Sequence, residues 1–173
     1  QLRRQAKETL SGLRSVVGLL RSDAEAGEPS PGLRDLPELI NSTRALGVDI
    51  ELFNGGILSG GADEADVGDA LILSPLADTA VFRVVQQAIS NALQHAPGSP
   101  ITVELRRAED SLELSVLNGP ARRPPTDPGG GGTGLTVMRE RTDAVGGSLQ
   151  AGPVEGGGWR VRLVLPLARE EDA

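Results

Sequence analysis

The stretch "GGGGTGLTVMRERTDAVGG", Gly129 to Gly147, sets five glycines within six positions directly ahead of an amphipathic helical pattern. Glycine loses more conformational freedom on ordering than any other residue, so such a run marks either a mobile connection or a backbone that must approach something closely. Amides freed of β-carbons at a helix N-terminus also make an anion site, because unpaired N–H groups and the helix dipole both favour negative charge there. Gly129, Gly131 and Gly134 satisfy G-x-G-x-x-G. The dinucleotide fingerprint nevertheless needs a strand leading straight into the glycines, and here the proline-rich loop 119–128 intervenes. No lysine follows the run, which excludes the common phosphate loop. An anion cradle and a flexible hairpin connection both stay open.

A second line of chemistry-bearing residues lies upstream. Arg83, Gln87, Asn91 and His95 recur every fourth position, so they share one stripe of a helix. His95 is the only histidine and there are no cysteines, so neither a multi-histidine nor a thiolate metal site can form within one chain. An asparagine on a helix is by default a solvent-facing residue, and spacing alone assigns Asn91 no ligand.

The elements that must position these residues follow from periodicity. Val81, Val84, Val85, Ala88, Ile89, Ala92 and Leu93 form an apolar face over Pro75 to Ala96, predicting a long core helix ended by "APGSP". "ITVELRR" and "SLELSVL" alternate around the turn "AED" and predict a hairpin; "SLQAG" and "WRVRLVLP" predict a second pair around "PVEGGG". A helix from about Gly134 to Val145 separates the two pairs, with Leu135, Val137 and Met138 on its core face. Upstream, a short helix over Asp35 to Ala45 tolerates Pro37 in its first turn, and "VDIELF" reads as a strand. Residues 54–69, glycine-rich and acidic, read as a solvated loop or a disordered insertion. The resulting class is α+β: a two-layer α/β sandwich with a mixed, mostly antiparallel sheet and helices on one face. Ahead of it, Leu2, Ala6, Thr9, Leu13, Val16 and Leu20 keep a four-three spacing that predicts a long bundle helix, joined through the linker "AEAGEPSPG". The expected division is 1–26 for the helical region and 27–173 for the sandwich.

Composition narrows the function. With 17 basic residues against 24 acidic ones and 2% aromatics, the chain has the wrong charge for nucleic acid and no stacking platform for bases. No apolar run approaches the roughly 20 residues of a membrane span. The sequence thus reads as a cytoplasmic segment cut from a longer protein, with no membrane contact of its own.

Three pieces taken in order, "FRVVQQAISNALQHAPGSPITVEL", "LELSVLNGP" and "GGGGTGLTVMRERTDAVGGSLQAGPVEGGGWRVRLVLPL", resemble the ATP-binding domain of sensor histidine kinases, of the GHKL or Bergerat type. The subgroup they are most similar to partners LuxR-type response regulators, "GLTVMRERTDAVGG" being the most diagnostic piece. "LSGLRSVVGLLR" looks like the second helix of that family's dimerisation bundle.

The resemblance implies Mg-ATP as ligand. Asn91 takes the place of the asparagine that holds Mg2+ against the phosphates, and His95 belongs to the same motif. The glycine run takes the place of the ATP lid, with Gly130, Gly132, Thr133, Gly134 and Leu135 near the nucleotide, and Arg139 and Arg141 positioned to steer phosphate or to make surface ion pairs. Asn118 stands where an aspartate usually accepts the adenine amino proton; as an amide it still accepts through Oδ1. Gln87 stands at the glutamate that helps phosphoryl transfer, and an amide cannot act as a base. Gln94 replaces a basic residue, so all three departures remove a charge. The phosphoacceptor histidine would lie on the first bundle helix, outside this chain. The implied activity is ATP-dependent protein-histidine kinase, acting as a homodimer through the bundle with a response regulator as partner. The alternative is a degenerate kinase fold serving as a dimerisation or docking module, and a more distant one is a serine kinase of the same superfamily acting on anti-sigma-factor antagonists.

Overall fold

A computed structural model describes residues 30–55, 57–58, 71, 73–124 and 133–167. The expected bundle helix over 1–26, most of the loop 54–69, and Gly130 and Gly132 lie outside the described residues.

A 3-10 turn at Leu33–Asp35 leads into α1, Leu36–Ala45, and β1, Ile50–Phe53; then come α2, Pro75–His95, β2, Ile101–Ala108, β3, Ser111–Asn118, α3, Thr133–Asp143, β4, Ser148–Pro153, and β5, Trp159–Pro166. The five strands run in the order β1-β2-β3-β5-β4, with β1 parallel to β2 and every other neighbour antiparallel. The tight turn after Ala108 permits the β2–β3 hairpin, whereas the parallel β1–β2 pair needs the long crossover that α2 supplies.

Strand alternation decides which face is covered. Ile101, Val103, Leu105, Leu112, Leu114, Val116, Val161, Leu163 and Leu165 all point inward and are buried, while Thr102, Glu104, Glu113 and Ser115 on the other face are only half-covered. Helix α2 closes that inner face with Val81, Val84, Val85 and Ile89, none of them exposed at all. Each such side chain contributes about 1.5–3 kcal/mol relative to leaving it in water, so α2 is anchored as a rigid platform. Ser74 starts it, its Oγ accepting from the Ala77 N–H at 3.2 Å, with Pro75 in the first turn, where its missing N–H costs nothing.

The two-layer, mostly antiparallel sandwich is the expected one, and the predicted elements match the observed bounds within a residue or two. One detail differs. Ile57 and Leu58, within the segment read as a solvated loop, are partly buried and pack against the core, so the first residues after β1 extend the hydrophobic layer instead of leaving it.

Candidate functional site

Helices α2 and α3 do not seal the whole inner face. Between them and the end of the sheet where β3 stops and β5 begins lies a cavity of about 570 Å³. Its position follows from side-chain size: toward its C-terminus the inward stripe of α2 carries Ala88, Asn91, His95 and Ala96 in place of the valines that fill the core further back.

Asn91 and His95 are neighbours on that stripe and both line the cavity. Gln87, one turn earlier, donates from Nε2 to Asn91 Oδ1 at 3.0 Å. The first turn of α3 lies directly over this pair, and Gly134 is what permits it: a β-carbon there would sit 2.8 Å from Gln87 Nε2 and 3.4 Å from Asn91 Oδ1. Helix α3 is held down by Met138, almost wholly buried, and by Thr142, whose hydroxyl donates to Met138 O at 2.8 Å. The N-terminus of α3 is thereby fixed beside Asn91.

At the far end of the cavity, Asn118 closes β3. It is buried, and its Nδ2 donates to the Gly119 carbonyl at 2.8 Å, which orients the amide and keeps Oδ1 as its acceptor. Beside it, Gly158 opens β5 in contact with the Asn118 carbonyl, closer than any β-carbon could come. The cavity wall thus carries the amide acceptor Asn118 Oδ1, the Asn91 amide and the start of α3.

The profile of the family described as histidine kinase-, DNA gyrase B-, and HSP90-like ATPase matches residues 77–169, which span the cavity from α2 through β5. The chain belongs to this ATPase family. Among its relatives, the sensor histidine kinase LiaS of Bacillus subtilis (strain 168) is 32% identical over 108 residues, 62% of this chain and 30% of that protein. The sensor protein VraS of Staphylococcus haemolyticus is 34% identical over 92 residues, 53% of this chain and 26% of that protein. The matched stretch thus spans less than a third of either curated relative. The histidine kinase domain of the blue-light activated histidine kinase EL346 from Erythrobacter litoralis shares the fold at a TM-score of 0.58 and 17% identity, covering 95% of this chain and 77% of that one. The histidine kinase AdeS of Acinetobacter baumannii does so at 0.54 and 13%, covering 94% and 77%. The domain is the ATP-binding catalytic region of the kind sensor histidine kinases carry.

Within this ATPase domain the structure gathers Asn91, His95, Asn118, Gly134 and Leu135 around one cavity. Thr133, exposed, opens α3 next to them. Gln87 reaches the cavity only through Asn91 and Gly134. Gln94 does not line it, and neither do Arg139 and Arg141, which are exposed on α3. Trp159 was not anticipated. It lines the cavity at 40% exposure and pairs directly with Asn118 across the β3–β5 ladder. Its signal was available in "WRVRLVLP", whose alternation puts Trp159 on the same face as Val161, Leu163 and Leu165.

The residues present fit a magnesium ion held mainly by its nucleotide. Among the described residues no group of three or more acidic, histidine or cysteine side chains forms a protein cage. Asn91 Oδ1 offers one hard, neutral oxygen, which suits an ion that takes its other ligands from phosphates and water. Also among the described residues, no helix is long and apolar enough to cross a membrane.

Proposed function

We propose that this chain is the catalytic and ATP-binding region of a two-component sensor histidine kinase, transferring the γ-phosphoryl of Mg-ATP to a histidine on a bundle helix of the dimer. The observation that carries this reading is the convergence of Asn91, the α3 N-terminus at Gly134 and Asn118 on one cavity inside the family-matched region. Asn118 Oδ1 accepts from the adenine amino group. The α3 amides and the lid glycines, Gly130 and Gly132 among them, take the phosphates, and Thr133, Leu135 and His95 border the nucleotide. Asn91 Oδ1 is the protein's ligand to Mg2+, which when bound neutralises charge on the phosphate oxygens. In the transfer the acceptor imidazole nitrogen bonds to the γ-phosphorus, the bond to the β–γ bridging oxygen breaks, ADP leaves, and the imidazole proton passes to solvent, since Gln87 cannot take it. Such a transfer depends mostly on positioning and electrostatics, so the missing carboxylate slows it without abolishing it.

Residues 1–26 are assigned to the second helix of the dimerisation bundle, on their four-three apolar spacing. In the whole protein this makes a homodimer in the cytoplasm, the cytoplasmic part of a membrane-bound sensor included, with a response regulator as partner; "GLTVMRERTDAVGG" supports a LuxR-type one.

Calorimetric titration with ATP, with and without magnesium, on the natural chain and on Asn91→Ala tests the reading. Saturable, magnesium-dependent binding lost in Asn91→Ala is expected; absence of binding by the natural chain at millimolar ATP would sink it. In that event the second reading, a degenerate docking module, holds. The observation favouring it is the neutral Gln87–Asn91 pair, where a carboxylate would be needed to draw a proton.

A further inference from the structure

Trp159 is the only tryptophan of the chain, and there is no tyrosine. It is one of few large apolar side chains left exposed, at 40%, and the surface it exposes belongs to the cavity. The ladder explains how it gets there. Asn118 lies opposite Ile101 on one side and opposite Trp159 on the other, and Trp159 lies opposite Pro153. These four side chains therefore form one rung on the helix-covered face at the sheet's end. Facing residues of an antiparallel pair hold their β-carbons about 4.5–5.5 Å apart, so the indole stands immediately beside the Asn118 amide. Further back the walls are aliphatic, with Val116, Val161 and Met138, and among the described residues the one other aromatic ring of the lining is the His95 imidazole.

We infer that Trp159 is a base-contacting, specificity-determining residue, whose indole forms the aromatic wall against which the purine ring lies while Asn118 Oδ1 takes its amino group. This rests on the ATP site proposed above and adds a contact to it. Two features point the same way. A ring hydrogen-bonded at its edge to Asn118 comes within van der Waals reach of the next side chain on the rung, and a half-covered indole gains by exchanging water for a flat heteroaromatic surface. An indole on the cavity wall also compensates for the neutral Asn118, whose hydrogen bond to the amino group is weaker than a carboxylate's. Base recognition at this end is then divided between one amide and one aromatic face.

The test is calorimetric titration of the full chain and of Trp159→Ala and Trp159→Phe with three probes: ATP, adenosine and inorganic tripolyphosphate. Trp159→Ala should weaken ATP and adenosine by the same factor, roughly ten- to hundredfold, the range that loss of an aromatic platform under a base produces. Tripolyphosphate affinity should stay unchanged, and Trp159→Phe should retain ATP affinity within about threefold, because a smaller ring still offers a π-face. Unaltered or tighter ATP binding by Trp159→Ala would overturn the inference, showing a bystander or a plug. Equal loss of tripolyphosphate would overturn it too, since that marks general damage. If the natural chain binds ATP in the Asn91-dependent manner and Trp159→Ala changes nothing, only this inference falls. If it binds neither ATP nor adenosine, the proposed function falls with it.

Discussion

Gln87 and Gly134 both constrain Asn91, the first by a hydrogen bond and the second by close approach. The Gln87 amide satisfies one lone pair of Asn91 Oδ1 and leaves the other for a ligand. Replacing it by glutamate removes that donor and sets a carboxylate beside the Asn91 amide. Gln87→Glu should raise phosphoryl transfer to a bundle helix supplied in trans by about 10²–10⁴-fold if the carboxylate serves as a base. Radiolabel transfer from ATP checks this; a double variant, Gln87→Glu with Asn118→Asp, that gains nothing would count against a degenerate kinase awaiting only its charges. Gly134→Ala acts through the same contact. Its new methyl would displace the flexible end of Gln87, not backbone, so folding should be little affected while the Gln87–Asn91 bond is lost. ATP affinity should fall by a few-fold, in keeping with one hydrogen bond at about 0.5–1.5 kcal/mol, and the melting temperature should hold.

Elements decide how firmly that chemistry is placed. Helix α2 carries both the core valines and the Asn91–His95 stripe, so core packing and site geometry are coupled through one rigid rod. Its two ends differ: the N-terminus is capped by Ser74, and the C-terminus runs into the cavity. Ser74→Ala should cost about 1 kcal/mol of stability and leave nucleotide affinity alone, which denaturant unfolding and calorimetry together would show. The opening of β5 is less tolerant. Any β-carbon on Gly158 meets the backbone carbonyl of Asn118, and backbone cannot step aside as a side-chain end can. Gly158→Ala should therefore destabilise by about 1–3 kcal/mol, as overpacked sites do. It should also move Asn118 and Trp159 apart, lowering affinity for adenosine as well as thermal stability.

At the scale of the whole molecule, a ligand that binds only the folded state stabilises it by mass action. A hundredfold excess of Mg-ATP over its dissociation constant should add about 2.7 kcal/mol, visible as a rise in melting temperature that Asn91→Ala loses. The net charge of -7 opposes the approach of a polyanion, so the proposed phosphate end relies on the local field of the α3 N-terminus, not on a basic surface. The buried core among the described residues runs from Leu33 to Leu165. Deleting residues 1–29 should leave that core and the ATP site intact, and ultracentrifugation should show self-association falling away with the apolar stripe of Leu2 to Leu20. A shortened chain that still dimerises would place the interface on the sandwich itself.

Much was legible before any coordinates. Period-two and period-3.6 patterns located the five strands and three α-helices of the described residues, because each element buries one face and repeats accordingly. The ordered motifs around Asn91, Asn118 and the glycine run pointed to an ATP site through their resemblance to the ATP-binding domain of sensor histidine kinases; by themselves the glycines left an anion cradle and a flexible connection open. Two things required the folded chain. That Gly134 is the contact letting α3 sit on Gln87 and Asn91, and that Trp159 stands beside Asn118, both join segments about forty residues apart. Strand order and register set such neighbours, and no local pattern encodes them: β5 pairs with β3 only because the whole core closes that way.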